Sequence, residues 1–403
     1  SGSLPAGLTL GAATGLISGS PTTAASSTFT VKVDASGGKT ASKQFTVVVA
    51  AAADWPQGQH DESGRAWSPG DGAIDASNVA GIGEEWSMIG GFEPAIVGNL
   101  VFGAGQVPGH DGTFVAMALD LSTGDLAWYG PSLPEGCSGG PVAVTASAVL
   151  GQCGTVLAYD RSGSHALLGN TADTDPGIST QTLLVVGSTA VTWGQDRVVA
   201  YRLSDGQRLW QQLLPSGTTS VQDVAASGSS VVVAYDTRLR ALNAGTGAQQ
   251  WIRTLTSPGE VMIADSYVYT RANGGVSRFA LADGTPGWSV LASSGIYQLV
   301  GIDGDTVYAF EATFSELGQT SAVLRALKTS DGSQRWERDL ATRIRSAGVT
   351  KDLVWILQTQ IYSWGQYSDL IAFRRTDGDE RKRVSFDDNM YGAAAFGNGH
   401  VVF

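Results

Sequence analysis

The chain has 403 residues, a formal net charge of −12, 15% charged side chains and 53 glycines. Phosphate binding needs clustered Lys and Arg, and the densest basic run, Arg374-Arg375 to Arg381-Lys382-Arg383, is interrupted by Asp377, Asp379 and Glu380, so nucleic acid is not an expected partner. No run approaches the roughly 20 apolar residues of a membrane helix, and no segment shows a clear amphipathic helical period, so membrane insertion is not expected and the class is all-β with short strands and tight turns.

Residues 1–50 are rich in Thr, Ser, Ala and Gly, and the alternating runs Phe29-Thr30-Val31-Lys32-Val33 and Phe45-Thr46-Val47-Val48-Val49 predict half-buried strands of a small sandwich. The stretch Leu4-Pro5-Ala6-Gly7-Leu8-Thr9-Leu10, followed by Thr14-Gly15-Leu16-Ile17-Ser18-Gly19-Ser20-Pro21, resembles the immunoglobulin-like modules of bacterial surface proteins. Members of that family usually carry further strands before the leucine-proline motif. Residues 4–49 are therefore expected to present an open sheet edge, covered by a neighbouring domain or another copy unless the chain is a fragment. Residues 51–77 are expected to be a linker and lead-in, and 78–403 a second domain.

That second domain repeats one phrase seven times: a strand, a turn ending in glycine, and then a place four residues on that usually holds an aromatic. The glycines are Gly124, Gly163, Gly206, Gly247, Gly284, Gly332 and Gly378. The fullest version is Ala118-Leu119-Asp120-Leu121-Ser122-Thr123-Gly124-Asp125-Leu126-Ala127-Trp128, with Trp210, Trp251, Trp288 and Trp336 in the same place later on. A period of roughly 40 residues, with four strands' worth of sequence per unit, predicts a β-propeller whose units cannot bury both faces alone. The hairpins that open the units start near Ala95, Val142, Leu183, Val224, Val261, Leu299, Ala347 and Ala393. With Trp86 as one more aromatic of the repeat, they predict an eight-bladed ring in which the Trp86 strand pairs with the last hairpin, so that N- and C-terminal strands share one blade.

From Asp54 onward the chain resembles the pyrroloquinoline-quinone-like propeller repeat family, whose units read alanine-x-aspartate-x-x-threonine-glycine-x-x-x-tryptophan. The resemblance implies that Trp86, Trp128, Trp210, Trp251, Trp288 and Trp336 dock between adjacent blades. Two units depart from the pattern, with Leu167 and Lys382 in the aromatic's place. Cys137 and Cys153, the two cysteines of the chain, flank a predicted hairpin in the Leu167 unit, and a disulfide between them is preferred over two free thiols.

Chemistry is sparse. Quinone dehydrogenases with this repeat need a calcium held by carboxylate and amide oxygens, an acidic base and commonly a vicinal disulfide, and this sequence has no adjacent cysteines. No catalytic residue, metal or cofactor is expected. Asp303-Gly304-Asp305 and similar runs read as turns rather than calcium loops. The remaining signal is long inserts between second and third strands, around His110 and Asp111, from Thr313 to Ser321, and around Tyr362, Trp364 and Tyr367. His110, Asp111, Tyr362, Trp364 and Tyr367 are the predicted binding patch for protein or glycan. The expected function is a non-catalytic binding or scaffold propeller, secreted or on a bacterial cell surface. The alternative is a quinone- or calcium-dependent dehydrogenase or a carbohydrate-active enzyme.

Overall fold

The computed structural model describes residues 2–12, 15–19, 25–34, 38–49, 53–86, 93–107, 114–133, 142–152, 155–161, 167–170, 183–215, 221–293, 295–315, 318–340, 343–362, 365–386 and 393–403. Six four-stranded antiparallel sheets cover 95–132, 142–170, 184–213, 221–254, 261–291 and 296–340; a seventh, 343–386, gains Trp67–Ser68 as a parallel fifth strand. Each four-strand run follows chain order, as a propeller requires. Within a sheet, burial falls from the middle outward. In the fourth, every residue of Ser230–Tyr235 is buried, whereas the outer strand Gln249–Thr254 buries Trp251 alone. Faces covered by neighbouring sheets explain this gradient, because each unit completes its core only with the next one.

The repeated phrase works as a latch between sheets. Trp210 donates its indole N–H to the Ala244 carbonyl at 2.7 Å, Trp251 to Leu281 at 2.7 Å, Trp288 to Thr329 at 2.8 Å and Trp336 to Arg375 at 2.9 Å. In every case the acceptor lies in the following sheet's turn, and the ring lies flat on that turn's glycine. A Cβ placed on Gly284 would come within 2.7 Å of Trp251, and φ there is +70°, so glycine is required twice over. The turn is set by its first side chain: Asn243 Oδ1 accepts from the Gly245 and Thr246 amides, and Asp120 Oδ1 from those of Ser122 and Thr123. Trp128 lies tilted against Phe102, with ring centroids 6.1 Å apart. The glycine it would meet, Gly163, is outside the described residues, as are Cys137 and Cys153.

Between the seventh and first sheets stands the hairpin Ala395–Gly397 and His400–Val402, whose Phe396 packs against Trp55 and Trp355. Residues 75–86 complete this position. Asp75 Oδ1 accepts from the Ser77 and Asn78 amides as Asp120 does in its own turn, and Trp86 donates to the Leu121 carbonyl at 2.9 Å while lying on Gly124. Where the seventh sheet lacks its tryptophan, Arg381 donates to the Ala76 carbonyl and Lys382 to that of Ala80. One difference from expectation stands out. Residues 82–86 form no ladder with the hairpin, and the two are instead tied by His400 Nε2 to Glu85 Oε2 at 3.1 Å.

The amino-terminal module consists of two hairpins in separate two-stranded sheets, Leu8–Leu10 with Ile17–Gly19 and Ala25–Asp34 with Thr40–Val49. Phe29 stacks on Phe45, yet Phe45 is 40% and Val33 61% exposed. The strands expected to be half-buried are thus largely uncovered, Phe29 being the one buried residue among those described on them.

Candidate functional site

Sequence patterning gave little weight to residues 53–71, which have no strand period, yet they organise the centre of the disc. In chain order this segment bonds to the innermost strand of each sheet in turn. Trp55 exchanges backbone hydrogen bonds with Ile96 of the first, and the Pro56 carbonyl accepts from Val144 of the second. The Gln57 side-chain amide then imitates a strand, with Oε1 accepting from the Val185 amide at 2.9 Å and Nε2 donating to the Val185 carbonyl at 3.3 Å. The carbonyls of Glu62, Ser63, Arg65 and Ala66 accept from Ala226, Ile263, Ile302 and Val349 of the fourth to seventh sheets. At the closing hairpin, Asp54 Oδ1 receives Asn398 Nδ2 at 2.9 Å and Asp71 Oδ1 receives the Gly399 amide at 3.2 Å.

This plug is held by a compact polar knot. Asp61 Oδ2 accepts from Arg65 at 2.9 Å, Asp61 Oδ1 accepts from the Ser63 amide at 2.9 Å and also from the Ser63 hydroxyl, and His60 Nδ1 lies 3.4 Å from Asp61 Oδ2. Burial alone would raise the Asp61 carboxyl, but His60, Arg65 and Ser63 together hold it well below the usual carboxylate range. Gln59, His60 and Ala66 have φ of +55°, +78° and +47°, left-handed values that cost non-glycine residues energy and persist only where surroundings over-determine them.

Several carboxylates near the plug are shifted the other way. Asp223 is pushed up to about 7 by burial, opposed by the Val261 and Val224 amides and reinforced by Glu260 and Glu93. Burial also raises Glu62 and Glu93. These groups do not add up to a cation site. Both Asp223 oxygens accept backbone amides at 2.8 Å, Glu260 is paired with Arg271 at 3.1 Å, and no three His, Cys, Asp or Glu converge as metal ligands among the described residues. The described residues therefore do not form a calcium-and-quinone donor set. The Asp303 run is likewise structural: its carboxylate takes Tyr308 Oη at 2.7 Å and Arg375 Nε at 3.1 Å, joining the sixth and seventh sheets.

The plug meets the inner strands near their C-terminal ends, and antiparallel order puts the turns between second and third strands at the opposite face. There the inserts expected as loops are mainly extended ladders. Thr306–Ser315 pairs with Gly318–Lys328 out to Ser315 opposite Gly318, and Leu353–Tyr362 with Gly365–Arg374 out to Tyr362 opposite Gly365. Second strands in the second to fifth sheets have 5 or 6 residues, against 10 in each of these. At the base of the seventh hairpin, buried Asp369 accepts from Gln358, Gln360, Arg383 and Ser385, which stiffens it. Of the predicted patch, Tyr367 is half-buried and pairs with Gln360. His110, Asp111 and Trp364 lie outside the described residues, and so does the side chain of Tyr362.

Comparison with known proteins follows this architecture. The family profile described as outer membrane protein assembly factor BamB matches residues 29–290 and 194–401, and that described as putative Ig domain matches residues 1–50. A curated outer membrane protein assembly factor BamB from Bordetella pertussis (strain Tohama I) is 25% identical over 172 residues, 42% of this chain and 42% of the relative, so the match spans less than half of that protein. Among solved structures, quinohemoprotein alcohol dehydrogenase ADHIIG from Pseudomonas putida HK5 has a TM-score of 0.63 at 15% identity, covering 87% of this chain and 75% of that one. The quinohemoprotein alcohol dehydrogenase of Comamonas testosteroni gives 0.64 at 13%, covering 86% and 75%. BamB from Moraxella catarrhalis gives 0.58 at 16%, covering 79% and 93%. At such identities the structures establish a shared fold, and the same fold appears under both enzyme and assembly-factor names.

Proposed function

Because this chain belongs to the family described as outer membrane protein assembly factor BamB, we propose that it is a non-catalytic, protein-binding propeller of the cell envelope or cell surface, acting as a scaffold within a larger assembly. In this reading the disc has eight blades, the eighth position being filled by the hairpin 395–402 and residues 75–86. The observation that carries it is the division of labour between the two faces. On one face the plug is hydrogen-bonded to the innermost strands and the latch turns to the outer-strand indoles. On the other, the sixth and seventh hairpins extend beyond their neighbours on ladders braced at the base. Rigid hairpins of this kind offer backbone edges and side chains to a partner with little ordering cost.

The partner is expected to contact residues 312–321 and 359–368, together with the first-sheet insert containing His110 and Asp111. A photo-crosslinking residue at position 364 should capture a defined protein in cells of the source organism, whereas the same residue at Arg335 on the outer strand should not. Equal capture at both positions, or none at 364, would remove the proposal. Trp364→Ala should weaken that contact without lowering thermal stability.

A further inference from the structure

Charge is distributed very unevenly along this chain. Residues 1–50 hold Lys32, Lys39 and Lys43 against the single acid Asp34, whereas residues 54–196 hold sixteen Asp and Glu against Arg65 and Arg161 as their only Lys or Arg. Most of the exposed large apolar side chains among the described residues fall in these two regions, Leu213, Tyr267, Leu291 and Ile296 being the others. On the hairpin of Ala25–Asp34 and Thr40–Val49, Val33 is 61% and Phe45 40% exposed, with Lys43 Nζ lying 5.4 Å from the centre of the Phe45 ring. On the outer strands of the first and second sheets, Leu126, Tyr129, Leu167 and Leu168 are 41%, 42%, 44% and 58% exposed, and Asp125 precedes Leu126. The second of these strands carries Leu167 where other sheets place an indole.

We propose that the amino-terminal hairpin of one copy docks on the outer rim of the first and second sheets of another copy, joining a lysine-rimmed apolar face to an acidic apolar one. The lysines supply steering and register, and burial of Val33 and Phe45 against Leu126, Tyr129 and Leu168 supplies the holding energy. Among the described residues the hairpin has two strands and no third, so an edge remains for backbone pairing once it is seated. Two different patches meet, so the contact is head-to-tail, and copies that do not close into a ring extend into chains.

The test uses the full chain in sedimentation velocity across micromolar to submillimolar concentration. Wild type should self-associate at about 0.05 M salt and dissociate substantially at about 0.5 M, where charge attraction is screened. A hairpin variant, Lys39→Glu with Lys43→Glu, and a rim variant, Asp125→Lys with Leu168→Lys, should each be monomeric with unchanged far-ultraviolet circular dichroism. Mixing the two should restore a heterodimer and stop there, since one copy keeps an intact rim and the other an intact hairpin. A wild type that stays monomeric at every concentration overturns the proposal. So does association unaffected by either variant, or a mixture that remains monomeric. Because the loop-face hairpins are untouched, these outcomes are independent of capture at position 364.

Discussion

The interfaces running from the third sheet to the seventh and those around the second sheet and the closing hairpin solve one problem with different chemistry. In the first group a buried or half-buried indole lies on a glycine and donates its N–H to a carbonyl in the next sheet. In the second, Leu167 is 44% exposed where an indole is expected, and Arg381 and Lys382 donate to Ala76 and Ala80 where the seventh sheet has no indole. At the seventh sheet the hydrogen bond to the turn carbonyl is kept and the indole's apolar burial is not, whereas Leu167 can supply no such hydrogen bond. The difference sets where the ring should be weakest.

The largest expected effect tests the strong side of this comparison. Trp251→Ala removes a nearly buried indole and its hydrogen bond to Leu281, and should cost about 3–5 kcal/mol in chemical denaturation, whereas Leu167→Ala should cost less than about 1 kcal/mol. Equal costs would dissolve the distinction. Next, a Cys137–Cys153 bridge in the weakly latched unit would contribute about 2–4 kcal/mol, so reduction should lower Tm in wild type and leave the Cys137→Ala, Cys153→Ala variant unmoved. An unchanged Tm on reduction counts against the bridge.

A pH scan separates the plug from the latches. Asp223 is raised from 3.8 to about 7, so its folded form favours the proton: this contribution is full below about pH 4 and is lost as pH rises to about 7. Asp61 is lowered, so its contribution is present above pH 3.8 and lost on acidification. Stability should therefore peak in mildly acidic buffer, and Asp223→Asn should flatten the decline between about pH 4 and 7. A wild-type decline that persists in the Asn variant would assign it elsewhere. The smallest effect belongs to the closure. Arg381→Ala should cost about 1 kcal/mol, and Arg381→Lys, which keeps a donor near Ala76, less.

Much of the disc was legible because its signals are local. Gly247, Gly284, Gly332 and Gly378 each meet an indole that lies close in the repeat, and apolar strands alternate with tight turns. Trp86 was legible too, as a spare aromatic at the right interval. Residues 53–71 were not, because their order comes from hydrogen bonds to seven different sheets, six through the backbone and one through the Gln57 side chain, and such pairing leaves no period. One trace existed: the dense run Gln57-Gly58-Gln59-His60-Asp61 is unusually polar and aromatic-flanked for a linker. The inserts of the sixth and seventh units were placed correctly but read as loops, since Thr313 to Ser321 and Gln360 to Tyr367 lack the apolar alternation that burial imposes on inner strands. Exposed ladders carry no such constraint.

The plug is central to the disc because it ties the seven large sheets and the closing hairpin to one segment. Amide hydrogen exchange of Ala226, Ile263, Ile302 and Val349 tests it most directly, since each of these N–H groups is donated to a plug carbonyl. Protection comparable to that of Val232 and Ile356, in the second strands of their sheets, is expected. Exchange of the four amides at unprotected rates, with Val232 and Ile356 still protected, would contradict this role of the plug.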